Sequence, residues 1–91
     1  MTTIEKVSEI LNMDADSLEK DCIRDFLNKK IRSVETEIFR IAKKYGIKSI
    51  EELDEKLKEG LLEEEYVFED FKELDYYESE KDKLLKALKE L

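Results

Sequence analysis

The sequence predicts an all-α protein: an antiparallel hairpin of two long helices, with short helices at the N-terminus and in the connection, forming a dimeric bundle. Three observations point there. Apolar residues recur at spacings of three and four, the period of one helix face. The 91 residues contain no Pro and only two Gly, Gly46 and Gly60, too little turn material for a sandwich, a barrel or a glycine-rich phosphate loop. Three polar residues with an acid three positions on, Thr2 with Glu5, Asp16 with Glu19 and Ser49 with Glu52, mark helix starts. In each the first side chain accepts from an orphan backbone N–H and the acid reaches back to the cap. The length fits a single domain, residues 1–91.

The first helix covers about residues 3–12, with Ile4, Val7, Ile10 and Leu11 on one face. MDAD (13–16) is the turn. The second helix runs over 17–45, a rod of about 43 Å. Along it Leu27, Ile31, Val34, Ile38, Ile41 and Tyr45 form a heptad-like stripe that Ile23, Phe26, Phe39 and Ala42 widen. Gly46 supplies a left-handed closing residue, Lys43 and Lys44 suit the negative end of the dipole, and Ile47 is placed for the apolar contact of such a cap. A third helix over 50–59 carries Ile50, Leu53 and Leu57 and closes at Gly60. The last helix, 67–91, carries Leu74, Tyr77, Lys81, Leu84, Leu88 and Leu91, flanked by Phe71 and Leu85. Lys81 interrupts that stripe, with its stem along the seam and its ammonium in water. A thin hairpin buries less than the roughly 65% of surface a compact chain of this mass hides. The outer parts of the stripes are therefore expected to meet a second copy, through Leu27, Ile31, Val34 and Ile38 of one helix and Leu84 and Leu88 of the other.

Composition narrows the function. Zero His removes Ser-His and Cys-His catalysis and imidazole metal ligands together, so neither an enzyme nor a bound cofactor is expected. No apolar run approaches the 18 or so residues of a membrane span, and MTTIEKVSEI lacks the basic start and apolar stretch of a signal peptide. Cys22 is alone, which fits a reducing cytoplasm and reads as a small buried helix residue rather than a redox thiol. Charged residues make up 46% of the chain, against about 25% in an ordinary domain.

The charges are unevenly placed. Residues 29–48 carry net +5 and residues 51–80 net −11, within a total of −8. Two readings follow: the acidic last helix packs along the basic second helix, or the acidic half steers a basic partner protein. Nucleic acid is not an expected partner, because the chain is acidic and the patch of Lys29, Lys30, Arg32, Arg40, Lys43 and Lys44 has no aromatic platform beside it.

The segment 61–77, LLEEEYVFEDFKELDYY, crowds aromatics among acids. Tyr66, Val67 and Phe68 are consecutive, span about 200° on a helix and cannot share one buried face. Either a loop tucks the rings against helices two and three, or the rings face a partner. On the second reading Tyr66, Phe68, Phe71 and Tyr76 are anchors and Glu69 and Asp70 are steering charges. Glu63, Glu64, Glu65, Glu69 and Asp70 read as a solvated acidic face; they lack both the Glu-x-x-His pairs of a helical di-iron site and the spacing of an EF-hand.

KYGIKSIEELDEKLKEGLLEEE (44–65) followed by EDFKELDYYESEKDKLLKAL (69–88) resembles a set of short prokaryotic antitoxin-like proteins, with a Lys-Tyr-Gly turn, a short helix ending in Gly and an acidic final helix. SLEKDCIRDFLNKKIRSVETEI (17–38) extends the likeness backwards. The resemblance implies a helical component encoded beside a small toxin, often a nuclease, and makes Tyr45, Gly46, Gly60, Asp70 and Leu74 structural positions. Tyr77 stands where that family more often has Leu. Residues 1–12 read as helix rather than as the strand of a ribbon-helix-helix arm, which argues against autorepression of an operon.

Overall fold

A computed structural model describes residues 1–60 and 64–91, with Ile50 and residues 64–66 described by their backbone. Four helices follow one another: α1 (Thr3–Leu11), α2 (Ala15–Tyr45), α3 (Ile50–Lys58) and α4 (Glu64–Lys89), with no strand among the described residues. α2 and α4 pack along each other as the body, α1 lies on α2, and α3 lies on α4. Lys44 meets Asp70 and Arg40 meets Glu73, so numbering falls on one helix as it rises on the other. The long pair is antiparallel.

Local chemistry sets the boundaries. Thr2 and Glu5 form a reciprocal capping box at α1, and the Ser49 hydroxyl accepts from the Glu52 N–H at α3 (3.3 Å). Glu52 takes the Lys48 N–H rather than that of Ser49 (2.8 Å). At α2 the expectation needs correcting: the cap is Asp14, whose carboxylate accepts from the Ser17 N–H (3.1 Å), and the helix starts at Ala15. Asp16 falls inside the first turn, where it opposes the positive end of the dipole. α1 stops at Asn12, which takes the left-handed conformation (φ 55°), while the Met13 N–H returns to the Ser8 carbonyl (2.9 Å).

Gly46 closes α2 at φ 64°, and the next residue, Ile47, donates to the Ala42 carbonyl (3.0 Å) and drops into the core. A Cβ at Gly46 would meet nothing within 4 Å. Gly46→Ala therefore tests backbone strain alone. It is expected to cost about 1–2 kcal/mol, read as a lower urea midpoint with an unchanged m-value.

The core sits at the end of the rod that Gly46 closes. Ile41, Ile47, Leu53, Val67 and Leu74 are buried together, with Ile38, Ala42, Tyr45, Leu57, Phe71 and Tyr77 packed around them. Farther along α2 only Leu27 and Ile31 are buried. Both stripes read from the sequence face inward, since every member from Leu27 to Tyr45 and from Leu74 to Leu91 is buried or half-buried. Of the residues expected to widen the α2 stripe, Ala42 joins the core; Ile23, Phe26 and Phe39 are exposed. Cys22 is exposed too, contrary to its reading as a buried residue, because it stands just outside the stripe.

The result is a rod of 61 × 18 × 18 Å. Its radius of gyration is 19.2 Å, against about 12 Å for a compact chain of this length. Its accessible surface is 7035 Å², against roughly 5,600 Å² for a compact protein of this mass.

Candidate protein-binding surface

The register of the hairpin is fixed by a polar node at its closed end. Tyr45, the last residue of α2, donates its hydroxyl proton to the Asp70 carboxylate, and the Lys44 ammonium reaches the same oxygen at 2.7 Å. Burial alone would raise the Asp70 pKa, but the bonds from Lys44 and Tyr45 and the nearby Lys44 and Arg40 charges outweigh it and hold the carboxyl below its ordinary value. Burial, then the bond to Asp70, pushes the Tyr45 phenol up. One turn away Arg40 approaches Glu73 at 3.5 Å. Lys56 of α3 donates to the Tyr45 carbonyl at 2.9 Å, which ties the short helix to the end of the long one. Tyr45, Gly46, Asp70 and Leu74, four of the five positions singled out by the resemblance, thus cooperate in closing the hairpin; the fifth, Gly60, follows α3 in the left-handed conformation.

Internal charge complementarity therefore exists, but it is limited. Lys44–Asp70 and Arg40–Glu73 are the ion pairs between helices among the described residues; the others lie within one helix. α4 still carries net −7 over residues 64–80, and Asp75 and Glu78 make no ion pair among the described residues.

The structure divides the six residues expected to anchor a partner. α4 is already helical at Glu64, so residues 64–77 form no loop; Val67 turns into the core and Phe68 is 55% exposed. The backbone of Tyr66 is on α4; its side chain lies outside the described residues, as do residues 61–63. Tyr76 is 59% exposed, with its ring edge-on to Tyr77 at 5.5 Å. Glu69 is exposed, and Lys72 lies 4.5 Å from the centre of the Phe68 ring. Phe68, Glu69 and Tyr76 share the outer side of α4, the two rings about 12 Å apart along its axis. Phe71 and Asp70 point the other way, one against the core and the other into the polar node.

The sequence reading missed two grooves between the long helices. One is lined by Phe26, Lys30 and Val34 of α2 and by Tyr76, Tyr77 and Leu84 of α4. It places Tyr76 and Phe26 of the other long helix on the same groove. The second is built on Ile38, Phe39, Ala42 and Ile47 and is rimmed by Lys43, Lys48 and Lys81. Lys81 behaves as its place in the stripe suggested, half-buried at the edge of that groove. The available signal was that Phe26 and Phe39 stand more than 90° apart around α2, too far for one stripe to absorb both.

The expected self-association residues have inward positions. Leu27 and Ile31 are buried within the hairpin, and Val34, Ile38, Leu84 and Leu88 are half-buried. No group of three acidic or cysteine side chains able to hold a metal ion occurs among the described residues. No helix among them is long and apolar enough to cross a membrane.

A family model described as the uncharacterized protein MJ0235 family matches residues 1–91. The chain belongs to the MJ0235 family. One relative, uncharacterized protein MJ0235 of Methanocaldococcus jannaschii, is 31% identical over 62 residues, covering 68% of this chain and 76% of that protein. No solved structure matches. Because the MJ0235 match includes α1, the N-terminal helix belongs to the family unit and must be part of any account of its surface.

Proposed function

We propose that this MJ0235-family chain is a protein-binding module, antitoxin-like, that occludes a basic partner with the outer side of α4. The observation supporting it is the exposure of Phe68 and Tyr76 on a stretch of helix carrying net −7. Acidic charge speeds encounter with a basic protein, and exposed aromatics in a charged rim supply the desolvated anchors that dominate interface energy. The resemblance supports a small toxin, such as a nuclease, as that partner. Catalysis has no support among the described residues, which offer no nucleophile with a base and an orienting group beside it.

Co-expression with the product of the adjacent reading frame tests this, with host growth and co-purification as readouts. Phe68→Ala and Tyr76→Ala are each expected to weaken the complex by about 2 kcal/mol, roughly thirtyfold, with no change in helix content. Replacing a single exposed acid such as Glu69 is expected to change affinity by less than about 1 kcal/mol and mainly to slow association. A neighbour that binds both aromatic variants as tightly as the wild type would overturn the anchor. A harmless neighbour that never co-purifies would leave the second reading, a structural homo-oligomer, which the elongated shape favours.

A further inference from the structure

α1 is turned the wrong way for a helix that only has to cover its own chain. Its buried residue is Ser8, 4% exposed, whose hydroxyl is satisfied by its own helix through the Glu5 carbonyl (2.8 Å). Ile4 is half-buried beside it. The rest of the apolar face looks outward: Val7, Leu11 and Ile10 are exposed, Ile10 by 80%, as is Met13 just beyond the helix. Nine residues are too few to form a stable helix alone, and a short amphipathic helix is ordinarily held by its apolar face. Here the chain covers only one edge of that face, leaving Ile10 and Leu11 uncovered.

We infer that the Val7–Ile10–Leu11 face of α1 packs against the same face of a second copy of this chain. Charge favours a copy as the occupant. A two-fold contact sets a patch against itself, so only a nearly neutral patch escapes repulsion. Residues 1–13 carry Glu5, Lys6 and Glu9, net −1, in a chain of net −8, while α4 has net −7 over residues 64–80. Two copies can meet through α1 without bringing their acidic helices together. The elongated chain also exposes about 1,400 Å² more than a compact protein of this mass, surface that its own fold leaves uncovered. The contact leaves Phe68 and Tyr76 free, so it holds whether α4 binds a foreign partner or none.

Sedimentation equilibrium of the full chain across micromolar concentrations tests the inference. The wild type is expected to give twice the mass of the 10.9 kDa chain. Ile10→Asp and Leu11→Asp, both at exposed positions, are expected to weaken the dimer on the order of a hundredfold or more while leaving the far-ultraviolet circular dichroism unchanged. Phe68→Asp, on the outer side of α4, is expected to leave it dimeric. A wild type that stays monomeric throughout overturns the inference, including one that instead binds anionic vesicles through α1. So does an Ile10→Asp chain that dimerises as tightly as wild type, or a Phe68→Asp chain that is the one to dissociate.

Discussion

Ile41→Ala is expected to lower the free energy of unfolding by about 3–4 kcal/mol, the usual cost of emptying a tightly enclosed aliphatic site. Ile41 is fully buried at the point where α2, the Gly46 turn, α3 and α4 converge, with Ile47, Leu53, Val67 and Leu74 around it. A rod with so small a core has little room to collapse around the cavity. Domains of this size are stable by roughly 5–14 kcal/mol, so one substitution removes a large share. Two positions away Phe39 is 67% exposed, and Phe39→Ala is expected to change stability by less than about 1 kcal/mol despite the larger side chain. Urea titration of the pair settles the matter. Equal losses for the two variants would mean that the core has been located on the wrong face of α2.

Asp70→Ala is expected to cost about 1.5–3 kcal/mol at neutral pH, because it removes a charged acceptor that serves Tyr45 and Lys44 together. Its pH dependence identifies the cause. The folded Asp70 pKa lies below the ordinary carboxylate value, so its contribution is complete above about pH 4 and is lost as pH falls through the folded value. The Tyr45 pKa is raised, so its contribution is complete below about pH 10 and is lost as pH rises through the folded value. The stability difference between wild type and Asp70→Ala should therefore persist at neutral pH and shrink steadily below pH 4. A difference that stays constant into strong acid would show that Asp70 acts by packing and not by its charge. Lys44, whose side chain is largely exposed, is the weaker member of the node; Lys44→Ala changes a pair that solvent and salt screen from the lysine side.

The features legible in the sequence were those whose cause is local. Thr2, Ser49, Gly46 and Ile47 do what their spacing implies because a cap is decided within four residues. The inward stripes were legible for the same reason, since a repeat of three and four defines a face before any partner is known. Asp14 and Asp16 compete for one role two residues apart, and Ser17, whose N–H and hydroxyl both turn to Asp14, decides it in favour of the earlier acid.

Tertiary register is what spacing left out. Asp70 read as a surface charge because it sits among acids, yet Val67, Asp70, Phe71 and Leu74 fall at i, i+3, i+4 and i+7, and that pattern already placed it on the inward face. What the pattern lacked was the opposing residue: Tyr45 lies 25 positions earlier, and only the antiparallel pairing brings it near. The candidate site was half visible for the same reason. Phe68 and Tyr76 were singled out by composition, but Phe26 of α2 came to share a groove with Tyr76 only once the hairpin had closed. α1 is the clearest case: its apolar face was plain in the sequence, while the edge it turns inward depended on α2.

The crowding of buried side chains at one end of the rod has a kinetic consequence. Ile47 and Leu53 are close in sequence to Ile41, so the turn end can form from short-range contacts with little loop entropy to overcome, and α4 then adds to a template already in place. From there the helices zip toward the end where Leu27 and Ile31 are the last buried residues of α2. Opening is expected to run in reverse, with the free energy needed to expose the backbone lowest beside α1 and highest beside Gly46. The helix that presents an uncovered apolar face is thus mounted on the part of the long helices with the fewest buried side chains, where any contact that covers it is also expected to hold that end shut.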